Sequence, residues 1–141
     1  MNFLELTVLW TDDDGMFQLA VRASSATHTA HHETDLFPDS LASFADGLKS
    51  FPPATSSEVV LESGSKDPQW HDYFRMRALL LKPTGQSALE LESQVRGSPP
   101  VRADIHFFIP GMPADFNRIG TELSAWLAHP ADPFRVEWQN G

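Results

Sequence analysis

The sequence predicts an α+β domain: a largely antiparallel or mixed β-sheet of about seven or eight strands, covered on one face by two amphipathic helices. Three observations predict it. Residues 73–95 alternate apolar and polar side chains with period two on both sides of a Pro-Thr-Gly turn, the pattern of a β-hairpin. Two other stretches, 41–48 and 116–127, repeat apolar residues at helical spacing. Short turn-rich loops join the remaining segments, which favours strands that run antiparallel to their neighbours.

Taken in order, Phe3 to Trp10 reads as a strand with Leu4, Leu6, Val8 and Trp10 on one face and Glu5 and Thr7 on the other. The turn Thr11-Asp12-Asp13-Asp14-Gly15 leads into a second strand, Met16 to Ala23, whose apolar face is Phe17, Leu19 and Val21. Thr27 to Thr34 is polar and β-tolerant, suited to an exposed or edge strand. Pro38-Asp39-Ser40 opens a helix that Asp39 or Ser40 can cap, and Leu41, Phe44, Ala45 and Leu48 form its stripe before Pro52-Pro53 ends it. Glu58 to Ser63 is a short strand closed by Gly64.

In the central hairpin, Phe74, Met76, Ala78 and Leu80 share one face, and Tyr73, Arg75 and Arg77 share the other. Pairing Lys82 with Ser87 sets Leu80 opposite Leu89, Ala78 opposite Leu91 and Arg77 opposite Glu92, an ion pair on the wet face. Val101 to Ile109 is a further strand, broken by Pro110-Gly111-Met112-Pro113. Pro113 suits the first turn of the second helix, striped by Phe116, Ile119, Gly120, Leu123, Trp126 and Leu127 and stopped by His129-Pro130. Phe134 to Trp138 alternates as a last short strand. No sequence repeat or interdomain linker interrupts this order, so residues 1–141 form one domain.

Composition narrows the function classes. The 141 residues are 41% apolar, enough for a real core. The absence of cysteine excludes disulfides, thiolate metal sites and a cysteine nucleophile. The N-terminus lacks a basic region before an apolar run, and no stretch is long and apolar enough to span a bilayer, so a cytoplasmic protein is expected. The net charge of −9 lies wholly in residues 1–72, which hold twelve acidic and three basic side chains; residues 73–141 hold seven of each. Such a surface repels nucleic acid and anionic lipid and attracts a basic protein, although acidity also simply serves solubility.

Four clusters invite a functional reading. His28, His31 and His32 are metal-ligand types, but on a strand His31 points away from the other two, so a site needs a distant ligand; a polar edge strand explains them equally. Asp12, Asp13 and Asp14 lack the alternation and distant Glu of a calcium loop and suit a solvated turn or a partner-binding face. Glu90 and Glu92, two apart on one strand face, have the spacing of a glycosidase pair, yet Arg77 and Arg75 answer both in an ion-pair ladder. Trp70, His71 and Tyr73 form either an aromatic partner-binding edge or a lid over the core. His106 reads as a sheet-face histidine. No nucleophile elbow and no Gly-rich phosphate loop is present, and no cofactor is expected.

From about Leu36 to Leu127 the chain resembles a group of small bacterial proteins that includes immunity proteins of polymorphic toxin systems, of the WapI-like kind. The resemblance runs through the helix Leu41 to Leu48 and the strand ending Glu62-Ser63-Gly64. It continues through the two long strands around Thr84-Gly85-Gln86-Ser87, then the strand Ala103 to Ile109 and the closing helix Phe116 to Leu123. It implies a non-enzymatic protein that binds and neutralises a cognate toxin, with no toxin-site residues to carry over. Charge complementarity would speed capture of a basic toxin. Two other classes stay open: a small-ligand or metal-dependent enzyme using the His28, His31 and His32 region, and an assembly subunit that homodimerises through Trp70, Tyr73, Trp138 and the tail.

Overall fold

The computed structural model describes residues 1–54 and 58–139. Among these, the elements are β1 (Asn2–Thr11), β2 (Phe17–Ser24), β3 (Thr29–Leu36), α1 (Pro38–Lys49), β4 (Glu58–Gly64), β5 (Asp72–Leu80), β6 (Ser87–Val95), β7 (Ala103–Gly111), α2 (Pro113–Leu127) and β8 (Phe134–Trp138). The fold is α+β, every strand pairing is antiparallel, and two amphipathic helices complete the core, as the patterns predict. The strands divide into two four-stranded sheets, ordered β3-β2-β1-β8 and β4-β5-β6-β7.

Period-two patterning sets the inner faces. Leu4 and Leu6, Leu19 and Val21, and Phe134 and Val136 bury in the first sheet; Phe74, Met76, Leu89, Leu91 and Ile109 bury in the second. Both sets belong to one hydrophobic cluster, closed by Leu41, Phe44, Ala45 and Leu48 of α1 and Phe116, Ile119 and Leu123 of α2. Each such Val, Leu, Ile, Phe or Met side chain contributes on the order of 1.5–3 kcal/mol by leaving water.

The helices cross closely. A Cβ on Gly120 would sit 2.6 Å from the Ala45 carbonyl oxygen, so only glycine permits that approach. The Asn117 Nδ2 lies 2.9 Å from the carbonyl oxygens of both Leu48 and Phe51, supplying a donor to the end of α1 from α2. At the other end of α1, neither Asp39 nor Ser40 caps. Phe37 occupies the cap position without a side-chain bond, and Pro38 stands at the first helical position, where a missing N–H costs nothing.

Two registers differ from the sequence pattern. The central hairpin pairs Leu80 with Ser87, two residues from the expected alignment, so Arg77 faces Glu90 and Arg75 faces Glu92. A shift of two keeps every side chain on its face, so alternation alone cannot detect it. The wider loop is held by Leu81 and Lys82 N–H groups donating to the Gln86 carbonyl at 2.7 and 3.2 Å. In β1 the pairing slips between Val8 and Trp10, a bulge that inserts Leu9 and turns Trp10 to the outer face. Trp10 is 57% exposed instead of buried in line with Leu4 and Leu6. Pro110 lies within β7, beyond the expected strand end, because an edge strand tolerates its missing N–H.

The connectivity repeats itself. Three strands, a helix and a strand (β1-β2-β3-α1-β4) are followed by the same series (β5-β6-β7-α2-β8). Each series gives its last strand to the sheet of the other: β4 pairs with β5, and β8 pairs with β1. The two sheets meet along β3 against β4 and β5, and again where Asn2 and Trp138 donate to the Pro110 carbonyl at 3.3 and 2.8 Å.

Candidate functional site

Three regions carry the polar chemistry. The first is the β1–β2 hairpin tip with the outer face beside it. The Asp12 Oδ1 accepts the N–H groups of Asp14 and Met16, both at 2.9 Å, so this carboxylate builds the turn. Asp13 and Asp14 are exposed and point to solvent. The bulge places Trp10 in a cross-strand row with Gln18 and then Asp35 on the outer face, within about 10 Å by strand spacing. Exposed Phe37 and Asp39 follow at the end of β3. Among the described residues, no cation pairs with Asp12, Asp13, Asp14, Asp35 or Asp39. Elsewhere on the same sheet Glu5 is held by Arg22 at 3.1 Å and by Arg135. The tip is thus an exposed aromatic ring beside uncompensated carboxylates.

The second region is buried between the sheets. His32, expected among metal ligands, is 2% exposed and points inward from β3. Its Nε2 lies 2.9 Å from Asp72 Oδ2 and its Nδ1 2.6 Å from Ser93 Oγ. Thr34 donates to the same Asp72 oxygen at 3.0 Å and lies 2.7 Å from Ser63 Oγ. In the neutral ring, Nε2–H donates to Asp72 and Ser93 donates to Nδ1; Thr34 has given its proton, so Ser63 donates to Thr34. Every member is satisfied, which a buried polar cluster requires.

A serine, histidine and aspartate in series suggest acyl transfer, but the burial argues otherwise. Ser93 is 1% exposed, so no carbonyl carbon can reach its Oγ, and the two ring nitrogens have exchanged the partners they hold in serine hydrolases. The arrangement ties β3 to β4, β5 and β6. His31 instead faces solvent, 3.3 Å from Glu33, and His28 precedes β3, hydrogen-bonded to Thr27 at 2.8 Å. The three histidines do not converge, and among the described residues no group of three His, Asp or Glu side chains is placed to hold a metal.

The third region is the outer face of the second sheet. Glu90, 3% exposed, accepts hydrogen bonds from Arg75 at 3.0 Å and His106 at 2.9 Å and lies 2.9 Å from the Arg77 Nε as an ion pair. Arg75 also reaches Glu92 at 3.3 Å, and Arg77 reaches Glu58 at 2.7 Å. Burial alone would raise the Glu90 pKa, but the His106 hydrogen bond and the Arg77 and Arg75 charges outweigh it and hold the carboxyl below its usual range. Both carboxylates of the apparent acid/base pair are engaged by cations, Glu90 by Arg75, Arg77 and His106 and Glu92 by Arg75 and Lys66, as an ion-pair ladder.

Tyr73 is buried and donates to Glu62; burial first, and then that carboxylate, push its pKa to about 12. It is therefore unavailable as an interface anchor, whereas Trp70 and His71 are exposed. No protein-family model, curated protein or solved structure matches this chain.

No sequence pattern singles out Asp72, Ser93, Thr34 and Ser63. They lie 29–61 residues from their partners, and short hydroxyl side chains break no alternation. Alternation places Trp10 in the core, because a bulge leaves no mark in its own composition.

Proposed function

We propose that this chain is a non-enzymatic binding protein that grips a basic protein partner with the β1–β2 tip. The partner class that fits best is a toxin neutralised inside the bacterial cell that makes it, as the resemblance to immunity proteins implies. One observation carries the reading: Glu58, Glu90 and Glu92 of the second sheet are paired with Arg75, Arg77 and His106, while among the described residues no cation pairs with Asp13, Asp14, Asp35 or Asp39 beside the exposed Trp10 ring. An aromatic anchor with a charged rim is the usual anatomy of a binding hot spot, and uncompensated carboxylates steer a cationic partner toward it. The face of Trp10 itself attracts a lysine or arginine head group.

The test is co-purification from the native cell under low salt, followed by co-expression. The proposal expects a basic protein that is toxic when expressed alone and harmless beside this chain, with protection lost in an Asp13→Asn, Asp14→Asn, Trp10→Ser variant that still folds. Protection that persists in the triple variant would remove the tip from the contact.

A further inference from the structure

We infer that a cavity on the second sheet, between the ends of β6 and β7 and the loop of residues 65–71, binds a small zwitterion of the α-amino-acid class. Of the ten Lys and Arg residues, seven lie within ion-pair distance of a carboxylate: Arg22, Lys49, Lys66, Arg75, Arg77, Arg118 and Arg135. Among the described residues, Lys82, Arg96 and Arg102 do not. Two of these three line the same cavity of about 320 Å³, together with Pro68, Gln94, Gly97 and Asp104.

Their roles differ. The Arg96 guanidinium donates to the carbonyls of Ser65 at 2.7 Å, Lys66 at 2.7 Å and Trp70 at 3.0 Å, and to the Gln94 side chain at 3.3 Å. These acceptors fix the loop without neutralising the charge. Arg102 is exposed, and its fork of donors is open to a ligand carboxylate. In a chain of net charge −9, two such guanidiniums in one concavity make a local positive site.

Asp104 selects the ligand further. It is exposed on β7, in register with Gln94, and has no cation partner among the described residues. Positions two apart on extended chain stand about 7 Å from one another, so Arg102 and Asp104 can bracket one ligand carboxylate and one ammonium. A second carboxylate on the ligand would meet Asp104, and a plain amine would meet the arginines. The volume equals that of roughly ten water molecules, enough for an amino acid.

Calorimetric titration of the full chain tests this, using L-amino acids singly and succinate as a dianion. The expected result is saturable one-to-one binding of at least one amino acid and none of succinate. Arg102→Ala should weaken that binding about tenfold or more, and Asp104→Asn should weaken it while admitting succinate; both surface variants should melt like the wild type. Absence of saturable binding by every amino acid, affinity unchanged in Arg102→Ala, or succinate binding as tightly as the amino acid would overturn the inference.

Discussion

Tyr73 is the only tyrosine in the chain, so its ionisation can be read without interference from another phenol. Its pKa is raised to about 12, first by burial and then by the Glu62 carboxylate that accepts its hydrogen bond. A group whose folded pKa is raised contributes stability that is complete below the unfolded value near 10 and is lost as pH climbs to about 12. Ultraviolet titration should therefore find a phenolate midpoint well above 10 and falling stability in that window. A midpoint at the ordinary value would contradict the buried hydrogen bond.

Glu90 has the opposite sign. Its depressed pKa gives a contribution that is present above the ordinary carboxylate value and disappears as acid protonates it. Glu90→Gln should flatten the acid limb of the stability curve, and an unchanged limb would show the ladder to be inert. Between the sheets, Asp72→Ala leaves His32 and Thr34 without their shared acceptor and should cost about 1–3 kcal/mol in denaturant unfolding.

At the scale of elements, what the sequence makes legible follows from how each pattern encodes geometry. The stripe Leu41, Phe44, Ala45 and Leu48 names the buried face of α1 because helical spacing leaves no alternative side for those residues. In β5 and β6, alternation fixes the faces but not the partners, and the pairing therefore differs by two residues. Trp10 shows the other limit. Its place in line with Leu4, Leu6 and Val8 predicts burial, and one inserted residue reverses that.

Gly120 lies in the expected stripe of α2, although spacing says nothing of its role, which is to let α1 approach. Gly120→Ala should destabilise by roughly 1–3 kcal/mol through overpacking at the crossing. A neutral or stabilising effect, as helix propensity alone would give, would mean that the helices are not so close.

For the whole molecule, the exchange of β4 and β8 makes each half of the chain incomplete without the other. The charge is distributed on the same plan. In the second sheet Glu58, Glu90 and Glu92 are answered by Arg75, Arg77 and His106, while among the described residues the carboxylates at the tip of the first meet no cation. The acidic first half is legible in composition; its concentration beside an exposed Trp10 is not, because it depends on strand register and a bulge.

The most direct test of that arrangement is the association rate of the purified partner with this chain at increasing ionic strength, for the wild type and for Asp13→Asn, Asp14→Asn, Asp35→Asn. Steering by the tip predicts a steep fall with salt in the wild type, and at low salt a rate about tenfold lower in the variant with a shallow salt dependence. Equal rates and equal salt slopes in the two proteins would contradict it.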